Sequence, residues 1–353
     1  MGSRRLFFYK LRVVVYIALI WVFFSLIFKY NIIAVDSDLL LNRSISSFSL
    51  AFLIIGFIIA GAETFFLKKA FSRQPFWLSL ILRLTLTFVL FLAVSVIFLL
   101  TYFIFRYNGS FQSFTSAFIG KMLMTPSFLM LMIDLGFLSF MSIILLEVID
   151  KYGPGGFTSM IMGKYNKPKI ENRIFIFLDI NESTTIAERL GHERYFGFLK
   201  DFFADITEPI LMNGGEIYQY VGDEIVLSWK NSSANKRRCL SFIKQAVHTL
   251  QSKENQYRNK YGCYPTFKTG IHAGEVTAGY IGIIKKDLVY SGDTLNTAAR
   301  IRSKCHELNH SFVFSGAFLE GFSIPQTFSA TEIGAIKLKG REEEAKLYAL
   351  ELE

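Results

Sequence analysis

Four apolar runs in the first 150 residues constrain this chain more than anything else in it. They extend from about Val13 to Phe28, Phe48 to Leu67, Trp77 to Phe105 and Ser127 to Ile149. A helix needs about 20 residues to cross the hydrocarbon of a bilayer, and each run is read as one span. The third is long enough to tilt. In lipid the backbone must satisfy its own hydrogen bonds, which leaves helices as the solution for such runs. The first run is not read as a signal peptide, because it lacks a small-residue cleavage site and three more runs follow. Composition agrees: 52% of residues are hydrophobic and 37 are Phe, too apolar for an ordinary soluble chain. An all-α four-helix transmembrane domain is therefore expected over residues 1–150.

Lys and Arg set the expected orientation. Arg4, Arg5, Lys10 and Arg12 precede the first span, and Lys68, Lys69 and Arg73 follow the second. The remaining loops are poorer, with Lys29 and Arg43 in one and Arg106 and Lys121 in the other. Both termini and everything after the fourth span are expected in the cytosol of a plasma or inner membrane. The net charge of +9 is assigned to the lipid bilayer, and no nucleic-acid partner is expected. Cys239, Cys263 and Cys305 form no CxxC, which fits a reducing compartment. Glu63, Arg83 and Asp134 fall within the apolar runs. Glu63 and Arg83 lie near the cytosolic ends of neighbouring spans and read as a structural ion pair, with a ligand-sensing or transport site as the alternative.

Residues 151–172 read as a linker. Pro154-Gly155-Gly156 ends any helix leaving the membrane, and Lys164, Lys167 and Lys169 suit either headgroups or solvent. From Arg173 onward the pattern is α+β. RIFIFLD is a short apolar strand. STTIAERLGHERYFGFLKDFFADITEPILMNGG is helical up to its glycines. GGEIYQYVGDEIVLSWK reads as a hairpin turning at Gly222-Asp223. KRRCLSFIKQAVHTLQSKENQYRN is an amphipathic helix, and FKTGIHAGEVTAGYIGI and DLVYSG are strands. DTLNTAARIRSKCHEL is a helix with Asp293 at its N-cap, and further strands follow.

In a β-α-β-β unit the end of the first strand can lie beside the hairpin tip, which would place Asp179 near Asp223. Two carboxylates at such a point suit Mg²⁺, which takes one or two carboxylates plus phosphate oxygens. INESTT, with Ser183 and Thr184, opens a helix whose free N–H groups suit a polyphosphate. Asn296 and Arg300 are four apart and share a helix face. Lys339 adds a cation beside a glycine turn. A solvated surface remains the alternative for each of these residues taken singly.

Together and in this order, FLDINESTTIAERLG, GGEIYQYVGDEIVLSW, GIHAGEVTAGYIG, YSGDTLNTAARI and IKLKGR resemble the class III nucleotidyl cyclases, over residues 173–353. The resemblance implies a ferredoxin-like palm that converts ATP to 3′,5′-cyclic AMP and pyrophosphate with two Mg²⁺ or Mn²⁺ ions per site. It implies that Asp179, Asp223 and the Ile180 carbonyl hold metal. Asn296 matches the ribose-orienting residue, Arg300 the transition-state arginine and Lys339 the triphosphate lysine. The base-reading positions carry Gln219, where adenylate cyclases have Lys and guanylate cyclases Glu, and Val289, where they have Asp or Thr and Cys. Neither residue matches either pattern, so guanylate or pyrimidine cyclases and an inactive cyclase-like sensor stand as alternatives. The resemblance also implies a homodimer with shared sites. A diguanylate cyclase is the rival on the GDE hairpin, but that family lacks the Asn-Arg helix and the KLKG strand. A small transporter is disfavoured by the few intramembrane charges.

Overall fold

The computed structural model describes residues 3–35, 45–107, 115, 125–153, 156–337 and 344–352. Arg43, Lys121, Pro154, Gly155 and Lys339 lie outside the described residues. The chain divides into two compact units, Ser3–Tyr152 and Gly153–Glu353.

The first unit contains α1 (Ser3–Val35), α2 (Ile45–Ala62), α3 (Phe76–Tyr107) and α4 (Pro126–Tyr152). The four candidate spans are Phe7–Tyr30, Ser49–Ala70, Phe76–Val94 and Phe128–Tyr152. These helices are long and apolar enough to cross a membrane. Apolar residues surround them, as on helices that meet lipid on one side and each other on the next. Trp21 of α1 is fully buried and donates to Ser142 Oγ at 2.9 Å. A Cβ at Gly56 would lie 2.8 Å from the Trp21 ring, so the glycine admits the indole between α1 and α2. The chain continues from α2 through a π-helical turn, Glu63–Leu67. There Glu63 Oε2 accepts from Arg83 Nε at 2.8 Å, Glu63 Oε1 accepts from Thr87 at 3.1 Å, and Arg83 Nη1 reaches Glu147 Oε1 at 2.7 Å. The expected Glu63–Arg83 pair is thus part of a network that ties α2, α3 and α4.

The second unit opens with α5 (Gly156–Ile161) and β1 (Lys169–Ile180), so part of the segment read as linker is structured. Lys164 is held by Glu171 at 2.9 Å. There follow α6 (Ser183–Leu190), α7 (His192–Met212), β2 (Glu216–Val221), β3 (Glu224–Lys230), α8 (Ser233–Ser252) and α9 (Glu254–Tyr261). The remaining elements are β4 (Phe267–Ile281), β5 (Asp287–Ser291), α10 (Asp293–Lys304), β6 (Phe312–Ser315), α11 (Gly316–Leu319), β7 (Ser329–Lys337) and β8 (Glu344–Glu351).

The strands form one sheet in the order β2-β3-β1-β4-β6-β8-β7, with β5 on β4. Central β1 runs antiparallel to both β3 and β4. Ile174, Ile176 and Leu178 face one core with Phe198, Phe202 and Ile206 of α7 and Phe242 of α8. Phe175 and Phe177 face a second core with Tyr290 and Ala298. Burial on both faces explains why this strand reads as a continuous apolar run.

Three local readings are corrected. The first long helical segment is two helices, broken at Gly191, whose φ of +72° favours glycine. The KRRC segment is likewise two helices, α8 and α9, separated at Lys253. Asp293 is the first helical residue of α10 and Gly292 occupies the cap position. The Asp293 carboxylate accepts from Thr297 one turn on.

Candidate active site

The site begins with strand register. Asp179, the last residue but one of β1, lies opposite Glu224 on β3 and opposite Lys268 on β4. The β2–β3 turn is Gly222-Asp223, with Gly222 at φ +63°, a conformation the tight turn demands of glycine. Asp223 is thereby carried to the end of β1. Asp179 is 7% exposed. Burial pushes its carboxyl above the usual range, and the neighbouring Asp223 carboxylate pushes it further. Arg302 Nη1 and Lys268 Nζ each lie 3.3 Å from Asp179 Oδ2, and Arg302 Nη2 lies 2.5 Å from Glu224 Oε2. The structure thus brings together the two aspartates singled out in the sequence. It adds Glu224, Lys268 and Arg302, which sequence reasoning missed.

Beyond Ile180 the chain turns through Glu182, at φ 53°, into α6 at Ser183. No side chain caps this helix, so Ser183 and Thr184 stand where backbone N–H groups are free. Tyr195 of α7 is a further missed neighbour. Burial raises its phenol first, Asp223 and Asp179 add to that, and a hydrogen bond with Ser183 opposes them.

Helix α10 is set against β4 by backbone approach. A Cβ at Gly270 would lie 2.2 Å from the Arg302 nitrogen and 2.4 Å from the Ala298 oxygen. At that distance Arg302 reaches the β1 end. Residues two apart on a helix do not share a face, so Arg300 points elsewhere. Its Nη1 lies 3.9 Å from Asp293 Oδ1, beyond hydrogen-bond distance. Asn296 is exposed, as is Gln219 on β2, while Val289 on β5 is half-buried. Tyr290 N donates to Tyr218 Oη at 3.4 Å, and their rings lie 5.1 Å apart. A bulge at Tyr218 interrupts the alternation of β2, and Gln219 pairs with Val226, which packs in the same core as Tyr290; Val289, next to Tyr290 on β5, lies on the other face. Arg300, and Asn296 one turn before it on the same face of α10, therefore do not gather around Asp179 of their own chain. His272 is buried with Nδ1 2.6 Å from Ser315 Oγ, a structural placement.

The donor set fits a divalent cation. Among the described residues, no group of three His, Cys, Asp or Glu side chains forms a ready metal cage. Two adjacent carboxylates at a buried strand end suffice for Mg²⁺ when phosphate oxygens complete the shell. Burial first, and then the adjoining Asp223 carboxyl, disfavour the charged form of Asp179, and a bound cation opposes both.

Residues 165–352 match the sequence profile of the adenylate and guanylate cyclase catalytic domain. The chain belongs to this family. Adenylate cyclase 2 of Rhizobium meliloti is 32% identical over 209 residues, covering 59% of this chain and 58% of that relative. Adenylate cyclase 1 of the same organism is 28% identical over 183 residues, covering 49% and 26%. The chain thus spans little more than half of the first relative's length and about a quarter of the second's. A bacterial light-regulated adenylyl cyclase structure superposes with a TM-score of 0.54 at 21% identity, covering 65% of this chain and 67% of that one. This likeness shows the cyclase palm fold, here preceded in sequence by the four long apolar helices.

Proposed function

We propose that the chain is a membrane-bound adenylate cyclase, converting ATP to 3′,5′-cyclic AMP and pyrophosphate. The observation that most supports this is the meeting of Asp179 and Asp223 at the end of β1, beside Lys268 and Arg302. The names of the two Rhizobium relatives favour ATP as substrate.

Asp179, Asp223 and the Ile180 carbonyl would hold two Mg²⁺ or Mn²⁺ ions. When bound, such ions lower the pKa of the ribose 3′-hydroxyl and neutralise charge on the triphosphate. The N–H groups at Ser183 and Thr184 receive phosphate oxygens. Asn296 orients the ribose, so that its 3′-oxygen lies in line with the α-phosphorus. Arg300 stabilises the charge that grows as the new O–P bond forms and pyrophosphate leaves. Lys339 holds the outer phosphates, and Gln219 and Val289 meet the base. Arg300 and Asn296 face away from their own Asp179, so the active species is a homodimer with two shared sites. The four helices anchor it in the bilayer, with the cyclase domain and both termini cytosolic.

The test is incubation of membranes carrying the chain with each nucleoside triphosphate and Mg²⁺ or Mn²⁺, with products identified by mass. Cyclic AMP as the main product, lost in Asp179→Ala and Asp223→Ala, is expected. A cyclic dinucleotide, or no cyclic product under any condition, would refute the assignment.

A further inference from the structure

Arg302 performs none of the roles assigned above, yet it touches two of the carboxylates at the metal site. Its guanidinium bridges two carboxylates of different strands, 3.3 Å from Asp179 Oδ2 and 2.5 Å from Glu224 Oε2. Lys268 approaches the same Asp179 oxygen at 3.3 Å. Asp179, Asp223 and Glu224 bring three negative charges to this point, and Arg302 and Lys268 return two positive ones. Most of the charge that would draw in a divalent ion is already met by the protein's own cations. Asp179 Oδ2 in particular is engaged twice.

We propose that Arg302 is a built-in counter-cation that competes with the metal for Asp179, so that divalent ions enter this site together with the nucleotide. This rests on the metal-site reading given above. A divalent ion arriving alone must displace a guanidinium held by two buried carboxylates, and Coulomb attraction between partners this close is large in a partly desolvated site. A triphosphate changes the balance. Its oxygens offer Arg302 and Lys268 other anions, and planar guanidinium groups suit phosphate as well as carboxylate. Arg302 then leaves Asp179 Oδ2 to the metal while keeping Glu224. Gly270 makes this possible, since the close approach of α10 to β4 sets the Arg302 backbone near the β1 end. Arg302 is a positioning residue in this scheme, because it acts through Asp179.

The test measures Mn²⁺ binding by electron paramagnetic resonance on the full chain in detergent. It is done without nucleotide and with a non-hydrolysable ATP analogue. Without nucleotide, Arg302→Gln is expected to bind Mn²⁺ about tenfold more tightly than the unaltered chain, a change of about 1.4 kcal/mol. With the analogue the difference should shrink to about twofold or less. Arg302→Lys, which keeps the charge, should stay near the unaltered value. A merely structural arginine would give the opposite sign, because a loosened site binds metal less well. Equal or weaker binding by Arg302→Gln without nucleotide overturns the proposal. Asp179→Ala separates the two layers of the argument. If it abolishes Mn²⁺ binding while Arg302→Gln changes nothing, the metal site stands and the counter-cation falls. If it leaves binding intact, both fall.

Discussion

In the proposed reading, Gln219 meets the base. Its amide both donates and accepts, and adenine presents a ring-nitrogen acceptor beside an exocyclic NH₂ donor, a pair an amide can match. Gln219→Glu removes the donor to the ring nitrogen. Turnover of ATP is expected to fall, with GTP turnover falling less or rising, measured as kcat/KM for both on one preparation. Unchanged ATP turnover would show that Gln219 does not read the base. Residue by residue, the site was only partly legible in the sequence. Asp179 and Asp223 stood out because a strand end and a hairpin turn have recognisable signatures. Lys268 and Arg302 did not, because a lone cation at a strand start or in a helix's last turn looks the same as a solvated one. What distinguishes them is register: Lys268 is the β4 residue paired with Asp179. Glu224 stood in the GDE hairpin but was given no role of its own, since its partner comes from a helix 78 positions later, Arg302.

At the scale of elements, two contacts carry most of the risk. The first is β4 against α10. Gly270→Ala places a methyl where the Arg302 nitrogen lies 2.2 Å away, and backbone cannot yield as a side chain can. Overpacking of this kind costs about 1–3 kcal/mol. A lowered Tm is expected in thermal unfolding of the full chain, and an unchanged Tm would mean that strand and helix can part freely. The second is the buried network in the apolar helices. Arg83→Met leaves Glu63 inside without its guanidinium, and breaking a buried pair costs about 3–5 kcal/mol. The double variant Glu63→Leu/Arg83→Met should be more stable than Arg83→Met alone, as read by thermal melts in detergent. A double variant no better than the single one would show that the pair is not a unit. Helices and strands were well marked by period and by glycine. The breaks at Gly191 and Lys253 escaped notice because the apolar stripe runs on across them, and periodicity records the stripe without its joints.

At the scale of the whole molecule, the prediction is complementation. Arg302 and Arg300 leave opposite faces of α10, so one helix would serve the metal site of its own chain and the site its partner completes. Asp179→Ala and Arg300→Ala, each inactive alone, should regain activity when co-expressed, because a mixed dimer keeps one unaltered site. No recovery in heterodimers confirmed by differential tags would rule out shared sites. The division between Tyr152 and Gly153 lies where the apolar runs give way to the mixed α+β pattern. Sheet order was not legible in the sequence, because a return strand such as β6 beside β4 is chosen by packing between segments far apart in sequence. The cysteines lead somewhere else again. Cys239 and Cys305 are buried, and burial pushes the Cys305 thiol up to about 12 and that of Cys239 higher still. Both are poor nucleophiles while the chain is folded. Cys263, after α9, is partly exposed. A maleimide spin label or dye will therefore enter chiefly at one position per folded chain. In a twofold pair that gives a single label-to-label distance, a ruler across the assembly that requires no engineered cysteine.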